Sequence, residues 1–136
     1  MLSKRLVREQ ESEKVVADGE YVMREGDIGA DMFVIQSGQV TISKRMAGRD
    51  VVLATLGKGE FFGEMSLLES LPRDADAHAV GEVRLLVLRP GGLLVRIRRD
   101  PTFAIEMLHR LSGRIRTLNA ELQAAIEGNS NSSARR

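Results

Sequence analysis

Residues 59–75 read GEFFGEMSLLESLPRDA. In this stretch an apolar strand end meets Gly63, and a short helical turn is predicted to follow over residues 64–68. The first N–H groups of a helix have no partner within the helix and carry the positive end of its dipole. Because a glycine lets the backbone come close to a ligand, the stretch predicts an anion site of phosphate size.

Two side chains indicate which anion this turn would bind. Arg73 follows the loop, and its guanidinium can fork onto two phosphate oxygens, which a lysine cannot do. Glu64 would repel a phosphate, but it can accept a hydrogen bond from a sugar hydroxyl beside one. Taken singly, each is most often a surface charge, and Gly63 a plain turn. The combination indicates a nucleotide-like ligand.

The first two-thirds of the chain is predicted to be all-β apart from this helical turn. Short runs of strand-forming residues alternate with glycines, a pattern typical of a sandwich or a barrel. The dipeptides Gly26–Asp27 and Ser37–Gly38 are predicted turns. The strand-forming runs lie at 21–23, 32–35, 39–42, 51–54 and 83–88.

The last third of the chain is predicted to be helical. Pro90–Gly91 ends the final strand, and a helical period begins at Leu93 and is interrupted by Pro101. A longer helix is predicted from about Thr102 to Ile126, with Gly128 as its stop. The polar tail 128–136 is predicted to be disordered.

The long helix carries an apolar seam with heptad spacing. The seam consists of Leu108, Leu111, Ile115, Leu118, Leu122 and Ala125. This spacing is typical of a coiled coil and predicts a homodimer through the helix. The alternative is a helix that buries one stripe on its own barrel, and because Ile105, Met107 and Ile126 widen the apolar arc, both arrangements are compatible with it.

Composition limits the class of protein. A chain of 136 residues accommodates one hydrophobic core, and its net charge of +1 gives no general bias toward nucleic acid or membrane. Cysteine is absent, which excludes disulfides and thiolate metal sites and suits a reducing compartment. The charged N-terminus has no apolar signal region, and no run is long enough to span a bilayer. We therefore expect a cytoplasmic protein.

The residues of the turn resemble the phosphate-binding cassette of the cyclic nucleotide-binding domain family. That family includes catabolite-activator-type regulators, protein kinase A regulatory subunits and cyclic nucleotide-gated channels. Its pattern F-G-E-(apolar)-(small)-L-(apolar), then P-R-x-A, is present at 62–68 and 72–75, and the upstream glycine turns also match. The resemblance covers about residues 16–126.

The resemblance implies a fold that is mainly β with C-terminal helices. It would be a β-roll (a double-stranded β-helix or jelly roll) carrying the cassette helix and a C-terminal helix that serves as lid and dimer contact. The expected division of the chain is a charged segment 1–15, a cyclic nucleotide-binding domain 16–127, and the tail 128–136. Within the domain, the roll would occupy about 16–89 and the helices about 92–127.

The resemblance also implies the ligand contacts. Arg73 would hold the cyclic phosphate, and Glu64 with the Gly63 N–H would hold the ribose 2′-hydroxyl. The backbone N–H groups of Ser66 and Ala75 would complete the phosphate site. The expected ligand-binding residues are Gly63, Glu64, Met65, Ser66, Arg73, Asp74 and Ala75 in the cassette, Leu53 against the base, and Leu118 and Asn119 in the lid helix. The implied ligand is cAMP, with cGMP possible, and neither a cofactor nor a metal is expected.

Three positions depart from the family pattern. Asp74 and Asp76 place carboxylates near a phosphate site, and Ala30 stands where many relatives carry an acid that supports the arginine, a role that Asp31 could take over. Side chains alternate between the two faces of a strand. We therefore expect one set to face inward (Arg73, Ala75, Ala77, Ala79) and the other outward (Asp74, Asp76, His78).

Three other functions compete with a cyclic nucleotide sensor. A catabolite-activator-type regulator would bind DNA through a helix-turn-helix after the long helix, which this chain lacks, so the chain would be the sensor fragment of such a protein. A β-roll that has lost its ligand would act only in protein interaction. A metal-dependent enzyme would need clustered ligands, whereas the two histidines, His78 and His109, lie far apart in the sequence. No nucleophile–base pair is visible, and we expect no catalysis.

Overall fold

The computed structural model describes the backbone of residues 10–134 and the side chains of residues 10–128. The chain divides into two compact units, Met1–Arg99 and Asp100–Arg136. Among the described residues, the first unit contains the strands and two short helices, and the second contains one long helix. The predicted class, mainly β with C-terminal helices, is confirmed.

The strands form one antiparallel sheet system. Its order is β1-β6-β3-β4, with β2 paired to β6 and β5 paired to β3. The strands are β1 (Glu11–Val16), β2 (Tyr21–Met23), β3 (Met32–Met46), β4 (Arg49–Leu56), β5 (Phe61–Phe62) and β6 (Asp76–Leu88). The helices are α1 (Glu64–Glu69), α2 (Gly92–Arg99) and α3 (Thr102–Ala134).

The core lies between the inward faces of the long strands. Val40 pairs with Ala79, and Ile42 pairs with Ala77, so small alanines of β6 lie beside branched residues of β3. At the start of β6 burial alternates as the pleat requires, with Ala77 and Ala79 buried, whereas residues 85–88 at its end are all buried. The buried cluster contains Val16, Met23, Phe33, Ile35, Val40, Leu56, Phe62, Ala77, Ala79, Val83, Leu85 and Val87.

Strand β1 corrects the predicted N-terminal boundary. The segment 1–15 was expected to be a charged extension, yet Glu11–Val16 pairs with the end of β6. Backbone pairing and one ion cluster hold β1 in place. Because this needs no apolar side chains, most of the strand is polar and shows no strand pattern in the sequence. Glu11 accepts a hydrogen bond from Arg99 Nη1 at 2.8 Å, and Arg96 Nη1 lies 3.7 Å from the same oxygen. Residues 1–9 lie outside the described part.

The predicted turn at Ser37–Gly38 is wrong. Both residues lie inside the continuous β3, which spans the two runs predicted as separate strands. The register with β6 shifts on both sides of Ser37, and Gly38 has φ +90°. A Cβ at Gly38 would collide with the carbonyl of Glu82. The glycine therefore allows a close irregularity within the strand and does not reverse the chain.

Helix α3 continues past its predicted stop. Gly128 was expected to end the helix and to begin a disordered tail, but the helix runs to Ala134. Gly128 does not have a positive φ, so it does not form a left-handed cap. A glycine inside a helix costs only about 1 kcal/mol relative to alanine, which is not enough to end it. Residues 135–136 lie outside the described part.

Candidate functional site

The end of β5 and the start of α1 bring Gly63 into the site. Phe62 pairs with Phe33 of β3, so the position of the following turn is set by the sheet. Gly63 has φ +81°, a left-handed conformation that favours glycine. A Cβ here would also lie 3.0 Å from Arg73 Nη1 and 3.0 Å from the carbonyl oxygen of Asp31. Both the conformation and the available space therefore require a glycine at this turn.

The side chain of Arg73 is buried beside this turn. It is 6% exposed, and Nη1 donates hydrogen bonds to the carbonyl oxygens of Asp31 at 2.7 Å and of Gly63 at 3.4 Å. Its Cζ lies 5.4 Å from the centre of the Phe33 ring, which stacks on Phe62 at 5.1 Å. An aromatic face at this distance attracts a cation. The guanidinium is thus held by backbone carbonyls and a ring.

The backbone of Arg73 is also bound on both sides. Its N–H donates to the carbonyl of Asp27 at 2.9 Å, and its own carbonyl accepts from the N–H of Gly26 at 2.8 Å. These two hydrogen bonds join the end of the cassette loop to the turn between β2 and β3. The site is therefore formed from two segments that are about 45 residues apart in the sequence.

The charge of Arg73 has no carboxylate partner within ion-pair distance among the described residues. Burial lowers the pKa of its guanidinium, and the nearby charges of Asp31, Asp27 and Asp74 act in the opposite direction. An arginine stays protonated in proteins, so the site retains its positive charge. A buried charge without a carboxylate in direct contact is unfavourable, and an anion that binds the guanidinium directly would relieve that.

The other predicted cassette residues divide by burial. Ser66 is 3% exposed and Ala75 is 1% exposed, whereas Glu64 is half-buried. Met65 is 39% exposed, and Asp74 is also exposed. The structure thus brings Gly63 and Arg73 into contact, and it places Ser66 and Ala75 in the interior of the same unit.

The alternation predicted after Arg73 is present. Ala75, Ala77 and Ala79 are buried with the arginine, and the residues between them are exposed or half-buried. On the outer face the carboxylate of Asp76 accepts a hydrogen bond from the N–H of Glu25 at 2.7 Å. Asp76 therefore fixes the turn between β2 and β3 and is directed away from the guanidinium. Position 30 is an exposed alanine, and the neighbouring Asp31 contacts Arg73 through its backbone carbonyl.

The three predicted base contacts lie outside the cassette. Leu53 is the extra residue of a bulge in β4, between the partners of Ile42 and Ser43, and is 47% exposed. Leu118 and Asn119 belong to α3 in the second unit, where both are exposed. These three side chains remain predicted contacts.

Sequence reasoning missed two neighbours of Arg73. Gly29 and Phe33 border the guanidinium, although neither belongs to the cassette pattern. Phe33 could have been identified from the period of β3, which places it on the inward face. Gly29 gave no signal beyond a glycine in a loop, since only the folded chain brings it to Arg73.

The described part of the chain lacks two features that would indicate other functions. No helix within it has the length and hydropathy to cross a membrane. Within residues 10–128, no group of three or more His, Asp or Glu side chains could hold a metal ion.

Known proteins match both the sequence and the fold. The family model of the cyclic nucleotide-binding domain matches residues 13–100. The cyclic AMP receptor protein of Thermus thermophilus is 36% identical over 110 residues, which are 80% of this chain and 51% of that protein. This chain thus spans about half the length of that relative.

Two solved structures support the assignment. The Thermus thermophilus catabolite activator protein matches with a TM-score of 0.74 at 33% identity, over 91% of this chain and 60% of that one. The regulatory domain of Toxoplasma gondii PKA, solved with cAMP, matches with a TM-score of 0.61 at 30% identity, over 69% of this chain and 37% of that one. The sheet is the predicted β-roll, and the chain belongs to the cyclic nucleotide-binding domain family.

Proposed function

We propose that this chain is a regulatory module that senses cAMP and does no chemistry on it. The observation that carries the proposal is the buried guanidinium of Arg73, which faces the Gly63 turn without a carboxylate partner among the described residues. A cyclic phosphate would place a negative charge in direct contact with the guanidinium. The fork of the guanidinium would then bind two phosphate oxygens.

The remaining cassette residues would bind the sugar and the rest of the phosphate. Glu64 is half-buried at the start of α1, where its carboxylate could accept a hydrogen bond from the ribose 2′-hydroxyl. The N–H groups of Ser66 and Ala75 would donate to the phosphate. Leu53 would pack on the base, because a bulge in β4 leaves its side chain exposed without a ligand.

The identity of the nucleotide is proposed from the relatives. One is named a cyclic AMP receptor protein, and another was solved with cAMP. The base that distinguishes cAMP from cGMP would lie near Leu53 and Asp74. Asp74 could accept a hydrogen bond from the guanine amino group, so cGMP remains the alternative ligand.

The proposed output is a homodimer through α3, which would also cover the base with Leu118 and Asn119. Leu118 and Leu122 are 62% and 61% exposed. A helix with uncovered apolar residues at heptad spacing favours a second copy as its partner. A ligand that binds one position of this helix better than another would shift its equilibrium. We also propose a cytoplasmic location, which a sequence without cysteine suits.

Calorimetric titration with cAMP and cGMP tests the proposal. We expect cAMP to bind, and Arg73→Ala to weaken binding by about 2–4 kcal/mol through loss of a charge-assisted fork. The matched control is Arg45→Ala, because Arg45 is an exposed arginine on the β3–β4 hairpin and its side chain pairs with Asp50. Chromatography of cAMP after prolonged incubation should show unchanged nucleotide.

Two results would contradict the proposal. No heat and no thermal shift at millimolar cAMP would favour a β-roll that acts only in protein interaction. Conversion of cAMP to another compound, lost in Arg73→Ala, would show catalysis.

A further inference from the structure

Gly29 borders the guanidinium of Arg73. A Cβ built at Gly29 would lie 2.9 Å from Nη2, 3.1 Å from Nε and 3.3 Å from Cζ of Arg73. Real Cβ atoms do not approach a heavy atom within 3.0 Å, so a side chain here would displace the guanidinium. The space that a side chain would need at position 29 is thus occupied by Arg73.

The backbone does not require a glycine at this position. Gly26, in the same turn, has φ +86° and open space around its missing Cβ. Gly29 shows the opposite combination, because its φ is not in the left-handed region and its neighbour is close. Gly26 therefore allows the left-handed conformation of the chain reversal, whereas Gly29 leaves room for the side chain of Arg73.

Three residues enclose the guanidinium, and we call the space between them the arginine slot. Gly29 borders Nη2 and Nε, and a Cβ at Gly63 would lie 3.0 Å from Nη1. The ring of Phe33 lies against the third side. Because Nη1 already donates to the carbonyl of Asp31 at 2.7 Å, the edge formed by Nη2 and Nε is the part of the fork that Gly29 controls.

We propose that Gly29 is a positioning residue for ligand binding, and that its missing side chain fixes where the guanidinium of Arg73 stands. This inference rests on the proposed function, since the value of that position is the contact with a cyclic phosphate. A bidentate contact depends on the orientation of both nitrogens, so a small displacement of this edge weakens it.

The nature of the contact separates this role from a structural one. The three atoms nearest to a Cβ at position 29 all belong to the far end of a flexible side chain, that of Arg73. The fold can therefore accept the new methyl group by moving the guanidinium, whereas the ligand site cannot. We expect stability to be retained and affinity to be lost.

The test compares Gly29→Ala with Gly57→Ala. Gly57 is the matched control, because its φ is also outside the left-handed region and nothing lies within 4 Å of its missing Cβ. Both variants should melt within about 3 °C of the wild type, as is usual for substitutions that break no packing. Gly29→Ala should weaken cAMP binding about tenfold, the scale of one charge-assisted hydrogen bond, and Gly57→Ala less than about twofold.

A second background shows whether Gly29 acts through Arg73. In an Arg73→Lys protein, the guanidinium is absent, so adding Gly29→Ala should change the affinity less than about twofold. Equal affinity of Gly29→Ala and Gly57→Ala would overturn the inference. So would a further tenfold loss in the Arg73→Lys background, which would assign Gly29 a contact of its own.

A ligand-free measurement keeps the inference distinct from the proposed function. The Nε–Hε resonance of Arg73 can be assigned in the ¹H–¹⁵N NMR spectrum, because it is the one that disappears in Arg73→Lys. We expect it to shift in Gly29→Ala and to stay in place in Gly57→Ala. If the wild type binds no cyclic nucleotide, the proposed function fails. Independently of that result, an unshifted Arg73 resonance in Gly29→Ala overturns the positioning role.

Discussion

The β-roll and the long helix differ in how far their apolar side chains are buried. In β6, Val83 and Leu85 are completely buried within their own unit. In α3, by contrast, Leu108 and Leu122 are each 61% exposed. Burial of an apolar side chain stabilises a fold by about 1.5–3 kcal/mol, and these helix residues do not gain it. The buried residues of the roll thus pack within one unit, whereas most described residues of the apolar seam of α3 are exposed.

The largest difference should appear in stability. Leu85→Ala leaves a cavity in the roll and should lower the free energy of unfolding by about 2–5 kcal/mol. Leu122→Ala removes the same atoms from an exposed site and should change it by no more than about 0.5 kcal/mol in the monomer. Urea denaturation at low micromolar protein concentration measures both values.

Two results for this pair of variants would contradict the expected difference in stability or explain it by association. An equal loss for Leu85→Ala and Leu122→Ala at low concentration would mean that the helix residue is buried in the monomer. A loss for Leu122→Ala that grows with protein concentration would instead show that a second copy covers it.

The next largest effect concerns self-association. Carboxylates in the seam should prevent close packing of two helices, so the variant Leu111→Glu, Leu118→Glu should sediment as a monomer while the wild type forms a dimer at tens of micromolar. The control is Thr117→Glu, Ala120→Glu, which adds the same charge to exposed positions outside the seam. We expect the control to associate like the wild type within about threefold.

Sedimentation can also contradict the dimer. A wild type that stays monomeric at tens of micromolar, with and without cAMP, would exclude the homodimer. Equal dissociation by the seam variant and the control would attribute association to net charge and not to apolar packing.

The smallest effect tests the outward direction of Asp74. Because Asp74 is exposed, water and salt screen its charge from the site. Asp74→Asn should therefore raise cAMP affinity by less than about threefold, the range of an exposed charge interaction. We also expect the wild type to bind cGMP more weakly than cAMP.

Titrations at two salt concentrations measure this effect, with the exposed Asp50→Asn as the control. A tenfold gain in cAMP affinity for Asp74→Asn would place that carboxylate against the phosphate. A wild type that prefers cGMP, and loses this preference in Asp74→Asn, would assign Asp74 to the guanine amino group.

The sequence predicts local features better than those that depend on distant contacts. The helical turn after Gly63 and the alternation after Arg73 follow from spacing, and both are present. Strand β1 was missed because four of its six residues are polar, so the pairing with β6 leaves no periodic pattern. Ser37–Gly38 has turn residues, yet the approach of Glu82 determines its conformation.

The site shows the same limit. The cassette pattern identifies Arg73 and Gly63 because they lie ten residues apart in one segment. The carbonyl of Asp31 and the space at Gly29 come from a separate loop. No spacing rule connects residue 29 to residue 73, since the two residues are 44 positions apart and meet only in the folded chain.

At Arg73 the backbone hydrogen bonds fix the path of the loop, whereas the side chain provides the proposed contact with the ligand. The N–H and carbonyl of residue 73 bind Asp27 and Gly26 without using the side chain, so residues other than proline can make the same bonds. A substitution there can remove or alter ligand recognition while the loop keeps its path. A gene encoding this roll could therefore exchange one ligand for another, or lose its ligand altogether, by single steps that leave a folded protein for selection to act on.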